Sequence, residues 1–333
     1  MKALLSRTPG GPETLELADA PVPTPAADQL LVRVLACGIN YPDVLIIEDK
    51  YQARPPRPFI PGGEIAGVVE AVGGDVRGWQ VGDRLVSFIG IGGLAERAVV
   101  KASEAYRLPA DRDTTQAAGL ILTYATTIHA LVDRGELKAG ETLLVLGAAG
   151  GVGLAAIEVG KALGAKVVAA VSDERKAEVA AAAGADKTMI YGRGPFDKDG
   201  LKALAGQFKA AVGAADVVYD PVGGDYCEPA FRSLGWGGRY LVVGFPAGIP
   251  SLPLNLTLLK SCDVRGIFWG AFASRNPDAN RGHVEQLMAW WREGKINPKV
   301  GAVWPLEQGG EAIAWLGARQ AVGKAVVRVS DHA

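Results

Sequence analysis

A glycine-rich run, GAAGGVG from Gly147 to Gly153, follows the apolar stretch TLLVLG and opens the helical pattern GVGLAAIEVGKALG. Strand, glycine turn and helix in that order can hold a dinucleotide pyrophosphate. Gly147, Ala149, Gly150 and Gly151 are small enough for the backbone to approach the phosphates. With Val152 they lie at a helix start, whose free N–H groups and positive dipole end favour an anion. Gly153 lets the helix lie close on the sheet. The spacing is GxxGxxG, and a ligand-free turn is the competing reading. The strand–helix series that follows it favours the dinucleotide. The next apolar strand ends VVAAVSDERK, where NAD-binding chains carry an acid for the ribose 2′-hydroxyl. Here Val171 stands in that place, followed by Ser172, with Arg175 and Lys176 just beyond. A carboxylate about 4 Å from a 2′-phosphate would cost on the order of 4 kcal/mol at an effective dielectric near 20. Its absence beside two cations points to NADPH. Against this, Arg175 and Lys176 can be the solvated face of a helix start whose N-terminus Asp173 and Glu174 favour. Tyr191, ending the third strand, can pack over the adenosine ribose or belong to the core.

The elements that must position these residues fall into two groups. Residues 1–122 read as short β-segments between Gly and Pro turns, including QLLVRVLA, EIAGVVEAVG, GDRLVSFI and LAERAVV. From Thr123 to about residue 270, apolar strands alternate with Ala-rich helices, which implies a parallel, doubly wound sheet. The remainder, 271–333, holds one amphipathic helix, HVEQLMAWWREGK, and a last strand, GKAVVRV, and is expected to complete the first domain. In that helix one of Trp290 and Trp291 should pack and the other be partly exposed.

The 333 residues carry 35 basic and 36 acidic side chains with no basic run, so nucleic-acid binding by bulk charge is not expected. Cys37, Cys227 and Cys262 are far apart and form no CxxC pair. That argues against a disulfide framework and fits a reducing cytoplasm. The start, MKALLSRTPGG, lacks the apolar region of a secretory signal. The uncharged stretch from Tyr240 to Leu259 is interrupted by Pro246, Pro250 and Pro253, so no transmembrane helix is expected there.

Taken together, GINYPDVL, IPGGEIAGVVEAVG, GDRL, AAGLILTYATTIHAL, LLVLGAAGGVGLAAIEVGKALGAKV and GIFWGAF resemble the medium-chain dehydrogenase/reductases, in the zinc-free quinone oxidoreductase branch, over essentially the whole chain. The resemblance implies a GroES-like β domain, 1–122 and 271–333, interrupted by a Rossmann domain, 123–270, with the active site in the cleft between them. It implies a homodimer formed through the strand around Ile267. It maps cofactor contacts onto Thr127, Gly150, Gly151, Val152, Ser172, Lys176, Tyr191, Phe245 with its neighbour Gly244, Phe268 and Trp269.

Zinc-dependent relatives carry a cysteine where this chain has Asn40 and a histidine where it has Gly63, and His129, His283 and His332 share no ligand spacing. No metal is expected. A metal-free site suits a conjugated acceptor, a quinone or an α,β-unsaturated carbonyl, because hydride then goes to carbon and a few hydrogen-bond donors can hold the developing oxyanion. Candidate donors are Asn40, Tyr41, Tyr51, Thr123 and Tyr124; Asn40 and Asp43 keep the family's NxxD spacing. Some relatives have a tyrosine five residues after the asparagine, where this chain has Leu45, which leaves Tyr51 or water as proton donor. Asn40 also reads as an N-cap with Asp43 in the first helical turn, and both roles stay open. Glu64, the acid of the altered motif, is expected to be buried and to accept hydrogen bonds from backbone or from Arg54 or Arg57. The alternative functions are an enoyl-thioester reductase and a non-catalytic NADPH-binding protein.

Overall fold

The computed structural model describes residues 1–318 and 321–330. Its strands are β1 (Lys2–Ser6), β2 (Leu15–Asp19), β3 (Gln29–Ile39), β4 (Glu64–Val72), β5 (Arg84–Phe88), β6 (Arg97–Lys101), β7 (Ala105–Arg107), β8 (Thr142–Val145), β9 (Lys166–Val171), β10 (Lys187–Ile190), β11 (Ala215–Asp220), β12 (Leu234–Val242), β13 (Asp263–Gly266), β14 (Val300–Pro305) and β15 (Lys324–Arg328). The chain divides into two compact units, Met1–Leu122 with Pro298–Ala333, and Thr123–Asn297.

In the first unit a mixed sheet runs β14-β15-β3-β4-β5-β7, with β6 also paired to β3. Strand β3 is central; its second half, residues 34–39, is apolar and buried on both faces. Leu30, Val32, Val34, Cys37 and Ile39 join Ile65, Val69, Leu85, Leu94, Ile313 and Val327 in one core. Strand β15 returns antiparallel to β3, pairing Ala325 with Ile39, and β4 pairs Glu64 with Gly38. Continuing the first register sets Lys324 across from Asn40. Three strand ends therefore converge on residues 38–40, 64 and 324, far apart in sequence.

The second unit holds an all-parallel six-stranded sheet in the order β10-β9-β8-β11-β12-β13. This is the mixed α/β, doubly wound architecture that the alternation predicts. The order reverses direction at β8, and in such sheets ligands bind outside the carboxyl ends at that switch point. The glycine run follows β8 there.

One boundary differs from the expectation that 271–333 would join the first unit. Residues 271–297 belong with the parallel sheet, and the chain crosses back at Pro298. The helix Pro277–Arg292 buries Val284, Leu287, Met288, Trp290 and Trp291. Trp269 Nε1 donates to Asn280 Oδ1 at 2.8 Å, and the Asn297 N–H donates to Glu158. Both tryptophans are buried, so the partial exposure expected of one is not found. The helix meets its surroundings on a wider face than its apolar stripe suggests.

Candidate functional site

In the second unit the helix Gly151–Ala162 starts directly after the glycine run, with Gly150 as N-cap and no side-chain cap. Its first N–H groups are thus left for an external acceptor. Gly147 has φ +55, a conformation that favours glycine. A Cβ on Gly153 would lie 2.4 Å from the Gly147 carbonyl oxygen, so only glycine lets helix and turn approach this closely. Ala149 is buried and Val152 stands in the first helical turn.

At the end of β9, Asp173 caps the next helix, its Oδ1 accepting the Lys176 N–H at 3.0 Å. That gives the acid beside Ser172 a local job. Lys176 Nζ reaches Ser172 Oγ at 3.1 Å. Burial holds the Lys176 ammonium below its ordinary pKa, opposed by Asp173, while Arg193 and Arg175 add to the depression. The Tyr191 phenol is buried, which pushes its pKa up, and it meets the Gly147 backbone. Phe245 and Phe268 are exposed. Two expected contacts point inward. The Thr127 hydroxyl donates to Thr123 O at 2.8 Å and meets Tyr219 Oη at 2.9 Å, and the Trp269 indole is spent on Asn280. Both are core residues of this unit.

In the first unit Asn40 extends the end of β3 and heads the helix Tyr41–Ile47. Its N–H donates to Asp43 Oδ2 at 2.7 Å, and Asp43 Oδ1 accepts the Gly62 N–H at 3.2 Å. Asp43 therefore ties the helix start to the PGG loop. Burial raises its pKa to about 6, against the pull of those N–H groups and of Lys324. The Asn40 side chain is fully engaged. Its Nδ2 donates to Gly38 O at 3.2 Å and to Glu64 Oε2 at 3.0 Å, and its Oδ1 accepts from Lys324 Nζ.

Glu64 is buried as expected, but its partners are not Arg54 or Arg57. Arg57 pairs with Asp49 at 2.7 Å. Glu64 accepts from Lys324 Nζ at 2.9 Å, from Asn40 Nδ2, and from the Leu122 N–H at 3.1 Å. Lys324 is the functional candidate that sequence reading missed. It lies in the GKAVVRV strand, and only the β15–β3 pairing brings it to Asn40.

Of the remaining donor candidates, Tyr51 is half-buried against the first unit's core, and burial followed by the Asp43 charge raises its phenol pKa. Tyr41 is likewise half-buried. Thr123 is buried. Tyr124 is buried and donates to Glu158 Oε2 at 2.7 Å.

The metal positions can be tested for fit. A Cβ on Gly63 would lie 2.7 Å from the Gly90 carbonyl oxygen and 3.0 Å from the Phe88 ring. Among the described residues no group of three or more His, Cys, Asp or Glu side chains could hold a metal ion. His332 lies outside them.

Two family models match the chain: an alcohol dehydrogenase GroES-like domain over residues 26–110 and a zinc-binding dehydrogenase over 151–289. The residues at the zinc positions, Asn40 and Gly63, lie in the first match. Quinone oxidoreductase-like protein 2 of Bos taurus is 36% identical over 301 residues, covering 90% of this chain and 84% of that one. The solved quinone oxidoreductase of Escherichia coli, complexed with NADPH, is 29% identical with a TM-score of 0.87 over 99% of this chain and 100% of that one. That of Thermus thermophilus, also solved with NADPH, is 31% identical with a TM-score of 0.81 over 99% and 100%. With both domain matches in chain order and relatives aligned over nine-tenths of its length, this chain belongs to the medium-chain dehydrogenase/reductase superfamily, in its quinone oxidoreductase-like family.

Proposed function

We propose that the protein is an NADPH-dependent oxidoreductase that reduces a quinone or an α,β-unsaturated carbonyl without a metal. The observation that carries this reading is the closed state of the former ligand positions. Asn40 has both amide hydrogens and its oxygen engaged, and Gly63 has no room for a side chain. These two observations support a reading without a Lewis-acid metal at that point, which suits an acceptor whose charge delocalises.

NADPH, when bound, supplies the hydride. The turn Gly147–Gly151 and the helix that follows would hold its pyrophosphate, and Ser172 and Lys176 would meet the 2′-phosphate. Asn40 and Asp43 act in this reading by shaping the loop at Gly62, and Tyr51 is the phenol that carries a proton. A phenol is protonated at neutral pH and so has a proton to give; burial, followed by the Asp43 charge, raises its pKa and makes it a weaker acid than a free tyrosine. Homologues named as quinone oxidoreductases, two of them solved with NADPH, support the same reading.

The homodimer is proposed through the segment around Ile267, which directly follows β13, an edge strand of the parallel sheet with Val264 exposed. An edge strand with unpaired backbone groups is a template for pairing with a second copy, and Val264 stands on this one between Asp263 and Arg265. Light scattering at the monomer mass would overturn it. Three buried free cysteines fit a reducing, cytoplasmic setting. Among the described residues no helix is long and apolar enough to cross a membrane.

The test of function is NADPH oxidation with a simple quinone and with a 2-enone. Turnover on at least one is expected. No turnover on either, with tight NADPH binding retained, would leave a cofactor-binding protein instead.

A further inference from the structure

We propose that Arg193 is a specificity-determining residue for the cofactor's 2′-phosphate, and that Tyr226 positions it. The proposal rests on the NADPH reading above and adds to it a residue from a different strand end.

Arg193 follows β10, 21 residues after Ser172. Its Nη2 lies 3.4 Å from Ser172 Oγ and 3.6 Å from Asp173 Oδ2. Lys176 Nζ approaches the same two groups from the helix side, at 3.1 Å and 3.8 Å. Ser172 Oγ in turn donates to Asp173 Oδ2 at 3.1 Å. Two cations from separate elements thus converge on one hydroxyl and one carboxylate.

The carboxylate is already committed. Asp173 Oδ1 caps its helix, and Oδ2 is shared among Ser172, Lys176 and Arg193. One negative charge between two positive ones leaves an excess that suits an added anion. Arg175 lies near enough to contribute to the same field, with the exposed Glu174 opposite in sign beside it. A phosphate monoester carries close to two negative charges at neutral pH. The guanidinium fork can pair with two of its oxygens, which an ammonium cannot. The ribose 2′-hydroxyl of NADH offers no such charge.

Arg193 is exposed, with 62% of its side-chain surface accessible, so its placement depends on its backbone. Tyr226 supplies that placement. The Tyr226 phenol accepts the Gly194 N–H at 3.2 Å and donates to Gly192 O at 3.4 Å, bracketing Arg193 on both sides. The Tyr226 ring is fixed in turn against Tyr191, 5.0 Å between centroids, and edge-on to Phe196 at 5.7 Å.

The experiment is calorimetric binding of 2′,5′-ADP, 5′-AMP, NADPH and NADH to the full chain. Arg193→Ala is expected to raise Kd for 2′,5′-ADP and NADPH about tenfold, the size of one charge-assisted hydrogen bond. Kd for 5′-AMP and NADH should stay within about twofold. Arg193→Lys should recover part of the loss, and Tyr226→Phe should show a smaller loss of the same selective kind. Equal weakening of both nucleotide classes, or no change in either, overturns the assignment of Arg193. A wild-type chain with no preference for 2′,5′-ADP over 5′-AMP overturns the NADPH reading itself. Wild-type preference retained in Arg193→Ala overturns only the present proposal.

Discussion

Lys324 Nζ lies 2.9 Å from Glu64 Oε2, and both side chains are buried. The two residues stand 260 positions apart. They begin β15 and β4, the two strands that flank β3. The ammonium also reaches Asn40 Oδ1. A fixed protein cation therefore sits among the acid and amide of the altered metal motif.

A buried charge stripped of its partner is costly. Lys324→Met should destabilise the protein by about 3–5 kcal/mol, because Glu64 is left charged and uncompensated. Adding Glu64→Gln to that variant should recover much of the loss. Chemical denaturation of the single and double variants measures both. A loss under about 1 kcal/mol in the single variant would mean that the pair is not the desolvated ion pair described.

Restoring the histidine of zinc relatives should not restore a metal site. Gly63→His has no space for its Cβ beside Gly90 O, and overpacking of this kind costs about 1–3 kcal/mol. The variant should be less stable than wild type and purify without stoichiometric zinc. Metal analysis checks both chains. About one zinc per wild-type chain, removed by chelators together with activity, would overturn the metal-free reading.

Glu158 provides a pH-dependent prediction. Its Oε2 accepts from Tyr124 Oη and from the Asn297 N–H, and burial raises its pKa to about 7. The folded state thus favours the protonated acid. That contribution is fully present below the ordinary carboxyl value, near 4.5, and is lost as pH rises through about 7. Ionising it costs on the order of 3 kcal/mol. Glu158→Gln keeps an acceptor oxygen and cannot ionise. It should match wild type near pH 5 and exceed it near pH 8. Urea midpoints that differ equally at both pH values would show that Glu158 does not titrate in this range.

For the cofactor, Lys176→Ala should raise KM for NADPH by tenfold or more, the order expected for losing a charge-assisted contact. KM for NADH should change much less. Steady-state kinetics with the two cofactors decide it, and an equal effect on both would remove Lys176 from the phosphate.

Local patterns determined a large part of this protein. The strand–glycine–helix order around Gly147, the alternation from Thr123 onward and the valine at the acid position, Val171, each depend on neighbours within a few residues, so the sequence alone displays them. The capping role of Asp173 was open to the same kind of reading, since an N-cap acts on an N–H three residues away. Long-range pairing decided the rest. Lys324 meets Glu64 and Asn40 only because β15 pairs with β3 and β3 with β4, and no periodicity in the chain records which strands become neighbours. Arg193 meets Ser172 because β10 lies beside β9. The crossing at Pro298 follows from Trp269, Asn280 and Glu158 spending their polar atoms within the parallel-sheet unit. The sequence named the chemistry available at each position; the tertiary fold chose the partners, because a buried polar atom without one is costly.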